Sequence, residues 1–396
     1  MSAGREVVVL SGVRTAIGKY GGSLKDKPPT ELAAMVVREA VKRAGVEPQA
    51  IGQVVFGNVI HTDIHDMYLA RVAGVNGGLP VEIPAYTLNR LCGSGLQAIV
   101  SAAQAIMVGD VDAAVAGGVE VMSRGQYWLP GMRWGQRMND AAVVDAMVGA
   151  LTDPFDDCHM GITAENVAEK WHVSREDQDK LAVESQRRAA KATVEGYFKE
   201  QILPVELKVK GGTTEFATDE SVRGEATLEG LAKLKPVFTP TGTVTAGNAS
   251  GINDAAAAVV LMERRKAEAG GLKPMGRLVG YAHAGVDPKY MGIGPVPAVR
   301  KLLDSTGLGI QDIDVFEVNE AFAAQALAVI RDLELPPEKV NPNGSGISLG
   351  HPIGATGCIL TVKALYELKR TGGRYALVTM CIGGGQGIAA IFERMT

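Results

Sequence analysis

The sequence predicts an α/β protein made of two similar halves, with a charged, loop-rich segment inserted between them. Three observations carry this. Short apolar runs alternate with stretches of helical periodicity toward both ends of the 396-residue chain, the pattern of a sheet covered by helices. The order strand, glycine-rich turn, buried helix, strand occurs once before residue 122 and again after residue 340, as a duplicated unit would give. Finally, 46% of residues are hydrophobic but only 5% aromatic, and 49 are glycine, which suits layered sheets joined by tight turns.

Taken in order, residues 6–10 (EVVVL) form a first strand and residues 30–44 a helix opened by Thr30, with Leu32, Met35, Val36, Glu39, Ala40 and Arg43 dividing its two faces. Strands follow at 53–60, 85–88 and 113–122. Between the last two, Leu96, Ile99, Val100, Ala103, Ile106 and Met107 recur at helical spacing, so a helix runs from near Gly93 to near Gly109. From residue 124 to about 245 the character shifts to charged helices, proline, tryptophan and a polar stretch at 211–230. The apolar pattern then returns: strands at 255–262, 277–281 and 315–318, helices at 296–305 and 321–333, a glycine-rich turn, a helix ending at Lys369, and strands at 375–380 and 388–392. Alternation of this kind implies a parallel sheet with both faces covered. The expected division is residues 1–122 with 246–274 as one core half, 123–245 as the insertion, and 275–396 as the other half.

Composition excludes several classes. A net charge of -4 gives no general attraction to nucleic acid or anionic lipid. Four cysteines (Cys92, Cys158, Cys358, Cys381) lie far apart without a CxxC pair, which argues against a zinc ribbon or a disulfide framework and for a reducing, cytoplasmic setting. The N-terminus lacks the apolar core and cleavage site of a secretory signal, and no apolar stretch approaches the roughly 20 residues of a membrane span. His61 and His65, in HTDIHD, read as a solvated loop, so no metal is expected.

Cys92 sits in TLNRLCGSGLQA, at the start of the buried helix. The positive end of a helix favours a thiolate, which predicts a pKa below the usual value of roughly 8.5. Gly93 and Gly95 let backbone approach a substrate carbonyl. His351, in GHPIGATG, occupies the corresponding turn of the second half and is a candidate base. Cys381, in MCIGGGQG, ends a strand with no helix following, so its thiol is expected to stay more protonated and serve as acid or base. Asn319, in VNEAFA, either orients a water or oxyanion or caps a helix. Neither GSGISLG nor GGGQG meets the dinucleotide fingerprint, and NASG and CGSG are not nucleophile elbows.

Together NRLCGSGLQA, NEAFA, GHPIGATG and CIGGGQG, in this order across the whole chain, resemble the thiolase family. CHMGITAENVA, at 158–168, is similar to the biosynthetic β-ketothiolases of bacterial polyhydroxyalkanoate metabolism, since degradative thiolases usually lack a histidine before the position of Met160. The resemblance implies two βαβαβαββ halves in an α/β/α/β/α core with an inserted loop domain. It implies that Cys92 takes an acyl group from acyl-CoA with His351 as base, and that Cys381 then deprotonates acetyl-CoA. Asn319 would hold a water at the enolate, and the amides of Cys92 and Gly383 the acyl oxyanion. It places CoA near Leu151, His159, Met160, Arg223, Phe238, Ala246 and Ser250, with Met291 and Phe322 at the acyl end. No permanently bound cofactor is implied; acetyl-CoA, a short acyl-CoA and CoA are substrates. A homotetramer is implied, with residues 126–139 as an assembly loop. The chain departs from many relatives in carrying GGTT at 211–214 in place of a basic pair. A β-ketoacyl synthase would instead pair its cysteine with two histidines, whereas Asn319 and Cys381 stand in the telling motifs here. A non-catalytic acyl-CoA binder need not keep both cysteines and His351.

Overall fold

In the computed structural model, which describes residues 4–395, eleven strands form one continuous mixed sheet around two central helices, nine along its main path, named below, and two two-residue strands off it. In chain order the strands are β1 (Val7–Thr15), β2 (Gln53–Gly57), β3 (Ala85–Leu88), β4 (Ala113–Val121), β5 (Asn253–Glu263), β6 (Gly276–Gly285), β7 (Val315–Val318), β8 (Tyr375–Ile382) and β9 (Gln386–Arg394). The helices that matter for the site are α1 (Pro29–Ala44), α2 (Ser94–Val108), α3 (Met160–Lys170), α4 (Arg175–Val194), α5 (Pro295–Thr306), α6 (Ala323–Asp332) and α7 (Thr356–Thr371). Spatial order in the sheet is β7-β8-β9-β6-β1-β5-β4-β2-β3.

Two half-sheets meet at a short antiparallel seam, where Val8 pairs with Arg277 and Val9 with Gly276. Helix α2 packs on the first half-sheet and α7 on the second, and the two helices lie against each other between them. Outside, α1 covers β1, β4 and β5, and α5 covers β6 and β9, which completes five layers. Helix α2 buries Leu96, Ile99, Val100, Ala103 and Ile106, the face its periodicity marks, and ends where Gly109 adopts φ +89°.

The sheet is not parallel throughout. Along this order only β2 with β3, β2 with β4, and β7 with β8 run parallel and the remaining neighbours are antiparallel; off it, the two-residue strand Ile202–Leu203 lies parallel to β1. Helical connections force parallel order only where they return to an adjacent strand, and β8 and β9 are joined by a short glycine turn. Strand β1 continues to Thr15 because its later residues pair with β5 and with Ile202 and Leu203. Thr30 lies inside α1, whose N-cap is Pro28 with no side-chain cap; a fixed proline φ starts this helix instead. The 18-residue segment Leu91–Val108 is apolar enough for a membrane span, with a mean hydropathy of 1.5. It includes α2, whose apolar surface packs within the protein.

Residues 124–245 contribute α3, α4 and small hairpins, and their attachment to the core is ionic as well as apolar. The Arg14 guanidinium, on β1, meets both oxygens of Asp219 at 2.7 and 3.0 Å with neither side chain exposed.

Candidate active site

The turn that presents Cys92 is built by the preceding residues. Leu91 adopts φ +44°, a conformation costly for a leucine. It is held by its own amide donating to Asn89 Oδ1 at 2.8 Å and by its carbonyl accepting from Ser94 Oγ at 2.7 Å. Gly93 is the N-cap and Ser94 the first helical residue, and their amides donate to the carbonyls of Arg90 and Leu91. The Cys92 sulphur accepts from its own amide and from that of Gly383. Two backbone amides thus converge on one point beside the sulphur.

The thiol is not acidified in the free protein. Burial pushes it up to about 11; the Gly383 and Cys92 amides pull down and the Glu120 carboxylate adds a smaller upward push. The expected acidic thiol is thereby overturned: desolvation outweighs the helix terminus, whose leading amides are already engaged. Cys92 therefore needs a neighbouring base.

His351 lines the same cavity as Cys92. Its backbone amide donates to Asn253 Oδ1 at 3.0 Å, its Nδ1 lies 2.6 Å from Thr356 Oγ1, and the Thr356 hydroxyl donates to the Pro352 carbonyl at 3.0 Å. With its single proton committed to Pro352, Thr356 accepts from Nδ1–H. That tautomer leaves Nε2 with a free lone pair. Burial lowers the His351 pKa to about 4, so the ring is neutral at physiological pH.

Cys381 is the penultimate residue of β8, and the turn after the strand uses Gly384 and Gly385 at φ +79° and +84°. Burial, and then the charge of a Cys92 thiolate, drive its pKa far up. Of the two thiols Cys381 is the more reluctant to ionise and the stronger base once ionised. Asn319 directly follows β7, whose Val318 pairs with Thr379, and this register brings it behind His351. Its Nδ2 lies 3.4 Å from both ring nitrogens and its Oδ1 has no partner. The helix-cap reading of Asn319 is set aside, because Phe322 occupies the N-cap of α6.

One cavity of about 310 Å³ joins these groups: Cys92, His351, Cys381 and Gly383 all line it, from three separate segments. Among the expected CoA contacts, Leu151, His159, Met160, Phe238, Ala246 and Ser250 line it too, as do Met291 and Phe322. His159 caps α3 by accepting from the Gly161 amide at 3.0 Å and stacks on Phe238 with ring centres 4.7 Å apart. Only a glycine at 161 leaves room for that phenyl ring. The loop carrying Ala246 and Ser250 is anchored by Glu165 of α3, which accepts from the Thr243 and Val244 amides, and by Asp179 of α4 through Asn248. Asn319 and Arg223 do not line the cavity. Arg223 is exposed, its amide donating to Gln186 Oε1.

Three further residues support the site, and little in the sequence marks them. Thr356 and Asn253 fix the ring and backbone of His351. Glu120 is fully buried, accepting at Oε1 from Ile60 N and Asn58 Nδ2 and at Oε2 from Val59 N and Gly354 N, all between 2.8 and 3.1 Å. It thus ties the first half to the turn holding His351. The available signals are weak: a threonine five residues after the histidine, and an acid within an otherwise apolar strand.

Residues 7–265 match the family model described as Thiolase, N-terminal domain, and residues 272–394 that of Thiolase, C-terminal domain. The chain is 66% identical over 392 residues to the beta-ketothiolase BktB of Cupriavidus necator, covering 99% of this chain and 100% of that protein. Among solved structures it superposes on the Bacillus anthracis acetyl-CoA acetyltransferase with a TM-score of 0.97 at 47% identity, covering all of both chains. The CoA complex of human mitochondrial 3-ketoacyl-CoA thiolase gives 0.95 at 44% identity, covering 99% of this chain and 98% of the other.

Proposed function

The chain belongs to the thiolase family, and we propose that it works as a β-ketothiolase, joining acetyl-CoA to a short acyl-CoA to give a 3-oxoacyl-CoA and free CoA. The observation that carries the residue assignment is the single cavity in which Cys92, His351, Cys381 and Gly383 meet.

His351 Nε2 takes the Cys92 proton, and the thiolate attacks the acyl-CoA carbonyl while the amides of Cys92 and Gly383 hold the oxyanion. The C–S bond to CoA breaks. The departing CoA thiolate takes the Cys381 proton, leaving an acyl-enzyme, a Cys381 thiolate and a protonated His351. Acetyl-CoA then loses an α-proton to Cys381, and the enolate oxygen is held by protonated His351 and a water oriented by Asn319. The enolate carbon attacks the acyl group, and the released Cys92 thiolate recovers its proton from His351. Every proton is returned, so no permanent cofactor is required. The reverse sequence is thiolysis.

CoA runs from the cavity across residues 151–250, with Leu151, His159, Met160, Phe238, Ala246 and Ser250 along the pantetheine and Arg223 toward the phosphates; Met291 and Phe322 bound the acyl end. Condensation in the cytoplasm is the working direction, in keeping with BktB as a relative. A homotetramer assembled through residues 126–139 is supported by Trp134 and Met138, which are 87% and 80% exposed.

The test is acetoacetyl-CoA thiolysis by the wild type, Cys92→Ser and Cys381→Ser. Both variants should lose at least about a thousandfold in kcat. Only the wild type and Cys381→Ser should give the acetyl adduct on Cys92 by mass spectrometry. A Cys92→Ser enzyme with wild-type turnover would overturn the assignment.

A further inference from the structure

Asn319 lies between two residues that are gripped by one side chain. Asn341 Oδ1 accepts from the Val318 amide at 2.9 Å, and Asn341 Nδ2 donates both to the Val318 carbonyl and to Glu320 Oε1, each at 2.8 Å. Glu320 Oε2 accepts in turn from Ser185 Oγ of α4 at 2.6 Å and from the Ile347 amide at 3.4 Å. All three groups that meet this carboxyl donate, and Glu320, only 1% exposed, is the acceptor that satisfies them. A residue of the inserted segment thereby reaches the chain on one side of Asn319, while Asn341 holds it on the other.

The Glu320 carboxyl does not touch the reacting atoms. With Ser185 and Asn341 it walls a separate cavity of about 270 Å³ that shares no wall residue with the catalytic one. Below Asn319 the fit is close, since a Cβ at Gly346 would lie 2.5 Å from the Glu320 carbonyl oxygen and 2.9 Å from Asn319 Oδ1. Yet Asn319 Oδ1 has no hydrogen-bond partner, and Nδ2 stands 3.4 Å from the His351 nitrogens. The side chain's own bonds are too weak to fix the amide, so its place is set by the backbone on either side. Resting on the β-ketothiolase reading, in which Asn319 orients the water at the enolate, we propose that Glu320 is a positioning residue for the carbon–carbon step. Its carboxyl, held by Asn341 and Ser185, sets the backbone at Asn319 and with it the place of that water. Acyl transfer to Cys92 does not depend on it, because that oxyanion is held by the Cys92 and Gly383 amides and His351 is fixed separately by Asn253 and Thr356.

The experiment compares two rates in each protein. Exchange of labelled CoA into acetyl-CoA needs acyl transfer alone; condensation of acetyl-CoA, with the acetoacetyl-CoA drawn off by a reductase, needs the enolate as well. A misplacement of 1 Å costs on the order of a hundredfold, so Glu320→Ala should slow condensation about ten- to a hundredfold and leave exchange within about threefold of wild type. Glu320→Gln, which keeps an acceptor toward Asn341, should recover most of the loss. Asn341→Gly should show the same selective loss and decides the matter if Glu320→Ala does not fold, since the φ of +46° at Asn341 suits glycine. Equal falls in condensation and exchange in these variants, or an unchanged condensation rate, overturn the positioning role. Asn319→Ala is the reference and should show the same split. If it shows none, the assignment of Asn319 to the enolate water fails, and the proposal with it; a wild type that exchanges CoA but does not condense acetyl-CoA would refute the β-ketothiolase reading itself.

Discussion

Replacing Thr356 with valine removes one oxygen and changes shape very little. In the wild type that oxygen accepts Nδ1–H of His351 at 2.6 Å while its own proton goes to Pro352. In the variant, His351 has two neutral options. It keeps the proton on Nδ1, now a buried donor with no acceptor in a residue only 5% exposed, at about 1–3 kcal/mol. Alternatively the proton moves to Nε2, and the lone pair that should receive the Cys92 proton is gone. Either way the base-competent form becomes scarcer by the same free energy, roughly ten- to a hundredfold. The assay is the rate of Cys92 alkylation by iodoacetamide together with kcat for acetoacetyl-CoA thiolysis. Both should fall by that factor in Thr356→Val, and Thr356→Ser should recover most of the loss. A folded Thr356→Val enzyme within twofold of wild type in both measurements would refute the tautomer assignment, as would a serine variant no better than valine.

Two further expectations concern stability. Glu120→Gln places an amide group where a carboxylate accepts four hydrogen bonds. Asn58, whose Oδ1 has no partner, can flip to meet the new NH2, but Ile60 N then lacks an acceptor and Val119 O loses its donor. The cost is about 2–3 kcal/mol in urea unfolding, against a larger loss in Glu120→Ala, and a glutamine variant as stable as wild type would contradict the clamp. His351 titrates at about 4 in the folded protein against an ordinary 6.5, so the unfolded chain binds its proton first on acidification. This contribution is constant above pH 6.5 and destabilises progressively from pH 6.5 to about 4, by about 3 kcal/mol in all. The stability difference between wild type and His351→Asn should follow that curve, and a difference independent of pH would show that the ring is not held neutral.

The convergence of Cys92, His351 and Cys381 on one cavity was legible because each stands in a local turn signal. A cysteine opening a buried helix, a histidine among glycines and a cysteine ending a strand each announce a turn, and the duplicated order implies that the turns meet. Their electrostatic surroundings were not legible, since these depend on contacts between distant segments. The thiol pKa at Cys92 turned on burial by residues from both halves, and no local pattern weighs that against a helix terminus. The parallel sheet was misjudged for the same reason: β1 finds its neighbours in β5 and β6, more than 200 residues away. Thr30 missed its role because Pro28, two residues earlier, already sets the chain direction into α1.

The place where α2 meets α7 has a mechanical consequence. Any side chain at Gly95 would press on the backbone of Cys358, and one at Gly357 on that of Leu96, so the two helices touch main chain to main chain within a few residues of Cys92 and of Thr356. Main-chain atoms have no rotamers to rearrange, so this contact cannot absorb added volume by side-chain adjustment. A substituent at either glycine must push the two helices apart, and with them the turns that carry Cys92 and His351 on either side of the cavity.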